Sequence, residues 1–458
     1  MVRGTQTFQN LLSGVNGISW PPLVNSRTAL LVALMHQLDE IQWLPTDSIT
    51  GYQHKQLVVL AEHANKYSVN FRTRMLAAKL IPTDLSTPEG LRRLPVLSRR
   101  ELKTSQDDLF CSMLPQTHAP IKVHHSSGSS GEPVTVRRTA ISNLFYHATT
   151  LRENIWNQRD FMGTLAVIRA NLPAGITEMQ NWGEPYCLLF NTGPVYSQPI
   201  TTDIGQQVEW LKGINPDYLL TYPTNLAALL QKYEQLNWQL PRLRQIRTVG
   251  ETLTEEIRES ARRVFNVEIA DIYSSEEVGT IAVQCPESGL YHIMSESLIV
   301  EVLNEQGEPC RPGQIGRVVI TDLHNFATPL IRYDVNDYAE VGENCSCGRG
   351  LKVLTRIVGR SRNLCLLPDG RRHWPLVGGY LFNKITSIRQ HQLIQRSREM
   401  IEVRLVTDIP LTPEQEMRLI DLIHQSLGYP FELKFAYFDE KIPRTEGGKF
   451  EEFSCEVQ

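Results

Sequence analysis

Several features that would assign this chain to a special class of protein are rare or missing in its sequence. The 458 residues include 8 cysteines, too few for a disulfide-rich scaffold. Lysine and arginine number 46 against 50 aspartates and glutamates, so the net charge of −4 offers no broad basic field for nucleic acid or an anionic membrane. No apolar run approaches the roughly 20 residues of a bilayer span. With 41% hydrophobic residues, the composition is that of an ordinary globular protein.

The N-terminus lacks the apolar stretch of a secretory signal. We therefore expect a cytoplasmic protein with reduced thiols and no affinity for membranes. Residues 1–110 have helical periodicity, and beyond about residue 120 short apolar strands alternate with helices. These patterns predict an α/β fold: a large multi-layer α/β body over residues 1–360 and a small mobile α+β domain over 361–458.

The clearest single element is a helix near the C-terminus. Thr412 is placed as its N-cap, Pro413 as its first residue and Gly428 as its end. Its spacing predicts a buried stripe formed by Met417, Ile420, Ile423 and Leu427.

A serine- and glycine-rich loop joins two stretches of alternating polarity, 121–123 and 134–136. Its residues are Ser126, Ser127, Gly128, Ser129, Ser130 and Gly131. Small residues allow successive backbone N–H groups to surround an anion, and hydroxyls add donors for phosphate oxygens. The same composition is also that of a flexible linker.

A second polar segment, Asp271–Gly279, directly follows a strand. Tyr273 could stack on a base, and the acidic pair Glu276 and Glu277 could hold a magnesium ion. The alternative is a solvated acidic loop.

A third segment covers residues 321–337 and is followed by 356–360. At a strand end, Asp337 could accept hydrogen bonds from both ribose hydroxyls, and Arg360 could meet phosphate or ribose. The alternative is a structural β region with ion pairs.

The fourth segment, residues 442–449, lies in the small domain. Lys449 follows two glycines, so it could swing towards a phosphate and a carboxylate. Taken alone, the segment is an exposed loop.

In this order and at these separations, the four segments resemble the adenylate-forming superfamily of acyl-CoA synthetases, in the branch of phenylacetate–CoA ligase and the related coenzyme F390 synthetase-like proteins. The resemblance implies that ATP activates a small-molecule carboxylic acid as an acyl-adenylate with release of pyrophosphate, after which the acyl group passes to coenzyme A. It also implies magnesium as cofactor, rotation of the small domain between the two half-reactions, and a homodimer.

The resemblance also implies individual roles. Lys449 and Glu277 would be catalytic, with Glu277 as the magnesium ligand. The nucleotide would be bound by the serine- and glycine-rich loop and by Gly250, Glu251, Asp271, Tyr273, Asp337 and Arg360.

Some residues depart from the family pattern. Ser274 replaces a glycine, and Glu276 stands beside Glu277, so the metal could shift between two carboxylates. Asn336 replaces another glycine, a mild change because asparagine tolerates positive φ. Arg362 and Asn363 stand where the hinge usually has acidic residues.

Four further residues suggest a structural zinc site. Cys285, His292, Cys345 and Cys347 would supply three sulfurs and one imidazole, a tetrahedral set without an open position for catalysis. Members of the resembled branch carry zinc at comparable positions. The alternative is four reduced residues without metal.

The acyl pocket is expected from residues 181–197 and 248–252. Tyr186, Asn191 and Gly193 are its candidate lining residues, and the aromatic, rather polar composition favours an aryl or arylalkyl acid. Two other functions stay open: transfer of the acyl group to an amine or an acyl carrier protein, and a catalytically idle binding protein.

Overall fold

The computed structural model describes residues 11–125, 134–170, 172–360, 365–373, 382, 385–386, 388–439, 441–443, 450 and 452–457. The helices are Ser26–Ile41 (α1), Thr46–Tyr67 (α2), Val69–Ala77 (α3), Pro88–Arg92 (α4), Arg99–Thr104 (α5), Gln106–Leu109 (α6), Ala140–Trp156 (α7), Tyr186–Leu189 (α8), Ile204–Ile214 (α9), Pro223–Leu236 (α10), Glu255–Phe265 (α11) and Pro413–Leu427 (α12). Short 3₁₀ helices lie at Pro82–Ser86 and Gln116–His118.

The strands are Ile121–His125 (β1), Thr135–Thr139 (β2), Leu165–Arg169 (β3), Thr177–Met179 (β4), Val195–Pro199 (β5), Tyr218–Thr221 (β6), Gln245–Val249 (β7), Glu268–Ser275 (β8), Gly279–Gln284 (β9), Tyr291–Ile293 (β10), Leu298–Leu303 (β11), Ile315–Asp322 (β12), Tyr333–Val341 (β13), Val353–Arg360 (β14), Cys365–Leu366 (β15), Arg372–His373 (β16), Ile388–Gln395 (β17), Met400–Thr407 (β18), Glu432–Phe438 (β19) and Phe453–Cys455 (β20).

One large sheet organises the first 360 residues. Its 12 strands run in the order β11-β12-β13-β14-β10-β9-β8-β7-β6-β3-β5-β4. Strands β5, β3, β6, β7 and β8 are parallel to one another, and β8 pairs antiparallel with β9. The carboxyl ends of the parallel strands therefore meet at one edge of the sheet, where ligands bind in α/β proteins.

Both faces of the parallel strands are covered. One face packs against α9, α10 and α11 through a core that includes Ile168, Val208, Leu229 and Ile246. The other packs against α1, α7 and α8 through a second core. Helices α9, α10 and α11 each end at a left-handed asparagine, Asn215, Asn237 and Asn266. Asparagine adopts this conformation more readily than most residues, and it turns each helix back towards the next strand.

The last part of the chain forms a separate four-stranded sheet in the order β19-β18-β17-β20, with α12 packed on it. The predicted α/β body and small α+β unit are therefore confirmed. Helix α12 begins with the predicted capping box of Thr412 and Gln415 and ends at Gly428 with φ +67°. Its predicted buried stripe was wrong at Met417, which is exposed, because Leu419 is buried with Ile423 and Leu427 instead.

No helix within the described ranges is both long enough and apolar enough to span a bilayer.

Candidate active site

The predicted nucleotide residues lie at the carboxyl edge of the parallel strands. Gly250 and Glu251 directly follow β7, and φ is +81° at Gly250, a conformation that glycine adopts without strain. Asp271 and Tyr273 lie in the neighbouring strand β8. The chain places these four residues together because β7 and β8 are adjacent and parallel.

Asp337 and Arg360 reach the same place from the antiparallel half of the sheet. They are directly opposite each other in β13 and β14. The preceding residue, Asn336, has φ +61°, as its tolerance of positive φ had suggested. A cavity of about 1350 Å³ is lined by all six residues, Gly250, Glu251, Asp271, Tyr273, Asp337 and Arg360.

Tyr273, Asp337 and Arg360 form a connected polar group. The Tyr273 hydroxyl donates to Asp337 Oδ2 at 2.9 Å, and Arg360 Nε lies 3.7 Å from Asp337 Oδ1. Burial, with Asp337 adding to it, raises the pKa of Tyr273 well above its usual value, so this hydroxyl stays a donor. Asp337 thus offers carboxylate oxygens at the cavity wall, the chemistry that ribose hydroxyls require.

Asp271 is bonded within the protein. Its Oδ1 accepts from Thr248 Oγ1 at 2.5 Å, and its Oδ2 accepts from the Tyr291 hydroxyl at 2.8 Å. Burial raises the pKa of Asp271, although both hydrogen bonds act in the opposite direction. These contacts tie the middle of β8 to β7 and β10, so Asp271 holds strands of the cavity wall together.

Glu251 connects the large body with the small domain. Its Oε2 accepts from Thr224 N and Oγ1 at 3.0 and 2.7 Å, and its Oε1 accepts from Phe450 N at 3.0 Å. Phe450 and Glu452 also line the cavity. Burial raises the pKa of Glu452 to about 7, with further contributions from Glu256 and Glu251.

The two adjacent carboxylates, Glu276 and Glu277, differ in their surroundings. Glu276 is exposed, whereas Glu277 is buried and its Oε1 accepts from Arg99 Nη1 at 2.5 Å. Arg99 also lies 3.3 Å from the Tyr333 hydroxyl. Carboxylates suit magnesium, but neither residue is among those lining the cavity. The assignment of Glu277 as the metal ligand stays a prediction.

Two predicted components lie outside the described residues: the loop Ser126–Gly131 and Lys449. Their neighbours are described. Strands β1 and β2, which flank the loop, pair antiparallel with His125 opposite Thr135. Phe450, the residue after Lys449, has its backbone at Glu251. The predicted hinge residues Arg362 and Asn363 are also outside the described ranges.

The predicted acyl-pocket residues do not line the nucleotide cavity. Tyr186 is buried in an aromatic cluster with Trp182 and Phe190, and its hydroxyl accepts from Arg247 Nη1 at 3.3 Å. A Cβ at Gly193 would lie 2.4 Å from Met162 O, so close backbone packing explains this glycine. Asn191 is exposed. A role of these residues in acid binding stays a prediction.

The predicted metal ligands form a compact cluster. The ligand atoms of Cys285, His292, Cys345 and Cys347 all lie within 4.8 Å of one another. The Cys285 and Cys345 sulfurs are 3.8 Å apart, and Cys347 Sγ is 3.3 Å from His292 Nε2. Zinc–sulfur bonds of about 2.3 Å in a tetrahedron imply sulfur–sulfur distances of about 3.8 Å. The donor set and its spacing therefore fit zinc.

The surroundings of Cys285 favour a thiolate. Burial raises the pKa of Cys285, but hydrogen bonds from His292 and from the backbone of Glu287 and Ser288 lower it, and the balance is a pKa of about 6. The cluster joins the β9–β10 turn to the connection between β13 and β14. It thereby holds the strands that carry Asp337 and Arg360 at their other ends.

Three residues at the site were missed by sequence reasoning: Thr224, Phe450 and Arg99. Thr224 follows β6 at the carboxyl edge of the sheet, and the rule that ligands bind at this edge could have indicated it. Phe450 adjoins the predicted Lys449. Arg99 lies in a short helix far from Glu277 in sequence, and nothing in its segment signals the contact.

Comparisons with known proteins show which family the chain belongs to. Residues 57–327 match the family of AMP-binding enzymes, and residues 379–453 match the CapK C-terminal domain. The chain is 23% identical to the phenylacetate-coenzyme A ligase of Escherichia coli (strain K12) over 72% of this chain and 75% of that protein. It is also 23% identical to the enzyme of the same name from Thermus thermophilus, with coverages of 73% and 75%.

A solved structure of 2-hydroxyisobutyryl-CoA ligase in the postadenylation state, in complex with 2-HIB-AMP, has the same fold. The TM-score is 0.71 with 17% identity, and the match covers 91% of each chain. The anthranilate CoA ligase AuaEII matches with a TM-score of 0.54 and 14% identity over 71% of this chain and 64% of that one. The family match covers more than half of the chain, and the curated relatives extend over most of it. The chain therefore belongs to the AMP-binding enzyme family and is an adenylate-forming enzyme of the acyl-CoA ligase type.

Proposed function

We propose that this enzyme uses ATP and magnesium to convert an aryl or arylalkyl carboxylic acid to its acyl-adenylate and pyrophosphate, and then transfers the acyl group to the thiol of coenzyme A. One observation carries the proposal: Gly250, Tyr273, Asp337 and Arg360 line one cavity together with Phe450 of the small domain. The relatives named phenylacetate-coenzyme A ligase support the class of acid and the acceptor.

The residue types suit the chemistry. A carboxylate is a poor electrophile, so its oxygen must first attack the α-phosphorus of ATP, with pyrophosphate leaving. Asp337 would hold the ribose and Tyr273 would stack beside the base, which fixes the α-phosphate in place. Backbone N–H groups and hydroxyls of Ser126–Gly131 would orient the leaving pyrophosphate. Glu277 would hold the magnesium ion, which supplies positive charge beside the phosphate oxygens.

Lys449 would supply a further positive charge where negative charge builds up during adenylate formation. The hydrogen bond from Phe450 N to Glu251 supports this role, since it holds Phe450, the residue that follows Lys449, at the cavity wall. We place the domain boundary after Arg360, so that residues 361–458 can rotate as a unit. Rotation would withdraw Lys449 and admit the thiol.

The Cys285, His292, Cys345 and Cys347 cluster would hold a structural zinc ion. Four protein ligands leave no open position, so zinc would take no part in the reaction. Its proposed function is to fix the distal ends of the strands that carry Asp337 and Arg360.

Two half-reactions test the proposal. Carboxylate-dependent exchange of labelled pyrophosphate into ATP reports adenylate formation, and thioester formation from a synthetic phenylacetyl-adenylate reports transfer. Lys449→Ala should lower exchange by about 100-fold or more and leave thioester formation from the adenylate nearly unchanged. The matched control Lys434→Ala removes a lysine that is 61% exposed in the small domain and should affect neither.

The outcomes separate the competing functions. Exchange without thioester formation in the presence of coenzyme A would indicate an amine or a carrier protein as acceptor. An absence of exchange with a panel of aryl, aliphatic and amino acids would overturn the proposal and favour a binding protein.

A further inference from the structure

Positive charge is buried in excess on one face of the parallel strands. We call this the acyl face: the face of β3, β6 and β7 that packs against α1, α7 and α8. Side chains alternate along a strand, so Leu165, Val167 and Arg169 share one side of β3. Leu165 and Val167 pack in the core with Tyr186, whereas Ala166 and Ile168 pack in the core on the opposite side. Arg169 therefore belongs to the acyl face.

Arg247 lies on the same face. It is 5% exposed, and its guanidinium contacts Glu153 at 2.9 Å and the Tyr186 hydroxyl at 3.3 Å. Glu153 also pairs with Arg159 at 2.6 Å, so two guanidinium groups share one carboxylate. The Nε atom of Arg247 is buried without a hydrogen-bond partner among the described residues. This buried group carries a net positive charge.

Arg169 adds a second unmatched charge. It is half-buried, and its Nε is buried without a partner in the described part of the chain. Nor does any described residue form an ion pair with its guanidinium. The contrast is Arg152 on α7, which pairs one-to-one with Glu296 at 2.8 Å. Removing part of the hydration of an unpaired cation costs free energy, and an anion bound beside the cation offsets that cost.

The position of Arg169 relates it to the reaction centre. In the sheet register, Val167 of β3 pairs with Leu220 of β6, and Leu220 pairs with Arg247 of β7. Two residues further along both strands, Arg169 of β3 and Val249 of β7 therefore lie at the same height in the sheet. Val249 directly precedes Gly250 at the nucleotide cavity. The two positions are separated by two strand spacings, or about 10 Å. A bound acid whose carboxylate lies near Gly250 could therefore reach Arg169 with its far end.

We propose that the acid activated by this enzyme carries a second anionic group, a carboxylate or a sulfonate, and that Arg169 binds it. Arg169 would be a specificity-determining residue, and the net positive charge of the buried group around Arg247 would favour the same anion. The inference rests on the proposed function, since it concerns the acid of that reaction. A planar guanidinium suits this task because it can bind a carboxylate or a sulfonate through two N–H groups at once.

Matched pairs of acids test this specificity. Phenylacetates with a para-carboxylate or para-sulfonate are compared with para-methylphenylacetate, and suberate is compared with octanoate. The readout is kcat/KM for pyrophosphate exchange, which requires no coenzyme A. A charge-assisted hydrogen bond contributes about 1.5–3 kcal/mol, so the wild type should prefer each charged acid over its neutral partner by about 10- to 100-fold. The carboxylate and sulfonate arms then show which anion is preferred.

Variants assign the preference to Arg169. Arg169→Gln should abolish it by lowering kcat/KM for the charged acids, with the neutral acids nearly unchanged. Arg169→Lys should restore part of it, which keeps the test valid if the glutamine variant folds poorly. Arg398→Gln, the same change at an exposed arginine of the small domain, should leave it intact.

Several results would overturn the inference. One is a wild-type preference for the neutral acid in each pair. Another is an unchanged preference in Arg169→Gln. A third comes from a thioester assay run beside the exchange assay: if only the KM for coenzyme A rises in Arg169→Gln, Arg169 binds a phosphate of the acceptor. In these cases the neutral acids still support exchange, so the proposed function stands. If no acid of either kind supports exchange, the proposed function is refuted and this inference with it.

Discussion

Glu251 ties the small domain to the nucleotide cavity, and changing it to glutamine should weaken that connection. Each of its two carboxylate oxygens accepts hydrogen bonds, one from Phe450 N and the other from Thr224. Glutamine has one carbonyl oxygen, so in Glu251→Gln an amide N–H₂ group must face one of these donors. The variant loses a charge-assisted bond and leaves a donor unsatisfied.

The expected cost is about 1.5–3 kcal/mol, the contribution of a hydrogen bond to a charged group. If the substitution destabilises only the domain arrangement in which Phe450 contacts Glu251, adenylate formation should slow by up to about 10- to 100-fold. Under the proposed rotation of the small domain, thioester formation from a synthetic acyl-adenylate takes place after the contact between Phe450 and Glu251 has broken, so it should change little. Glu259→Gln, the same substitution at an exposed position of α11, is the control and should affect neither half-reaction.

The two half-reactions also show how the reasoning would fail. Equal losses in exchange and in thioester formation would mean that Glu251 acts on the nucleotide and not on the small domain. Unchanged exchange would mean that the bond from Phe450 contributes nothing to the adenylating arrangement.

Three more predictions concern the metals and one buried carboxyl group. Glu277→Gln should lower pyrophosphate exchange about 100-fold, because this buried carboxylate is the proposed magnesium ligand, whereas Glu276→Gln should lower it only about threefold. A larger loss in Glu276→Gln than in Glu277→Gln would assign the metal to Glu276. Cys347→Ser should lower both the bound zinc measured by atomic absorption and the Tm, whereas a metal-free wild type with equal Tm would contradict the zinc site. Burial raises the pKa of Asp322 to about 6 from 3.8, so its stabilising contribution is present at low pH and is lost as pH rises through 6. Asp322→Asn should remove about 3 kcal/mol of this pH dependence in urea unfolding, and identical pH profiles would refute the assignment.

Local features of the fold could be predicted because their causes lie within a few residues. The capping box at Thr412 and Gln415 is one example, since its bonds span one helical turn. The positive φ at Asn336 is another, because it depends on that residue's own backbone preference. The buried stripe of the same helix was partly wrong at Met417. Helical spacing gives a face, but the sheet beneath the helix fixes how the helix is rotated about its axis.

In the candidate site, too, the motifs could be predicted from the sequence, whereas the contacts between distant residues could not. The motifs that contain Tyr273 and Asp337 were visible, yet their hydrogen bond depends on strands from the two halves of the sheet. The resemblance favoured Glu277 over Glu276 as the magnesium ligand, but only the structure shows that Glu277 is buried against Arg99. The unmatched charge at Arg169 could not be found from the sequence, because only the packed structure shows which acidic groups lie near a given arginine.

The sequence by itself determined which residue types are present, where the helix Pro413–Leu427 begins and ends, and which family the motifs resemble. The tertiary structure alone decided which of those side chains meet: the six cavity residues, the four metal-binding candidates and the link between Glu251 and Phe450. The physical reason is the distance along the chain over which each kind of interaction acts. Backbone preferences and caps act over a few residues, whereas strand order and packing bring together groups hundreds of residues apart, and charge and burial at a site depend on all of them.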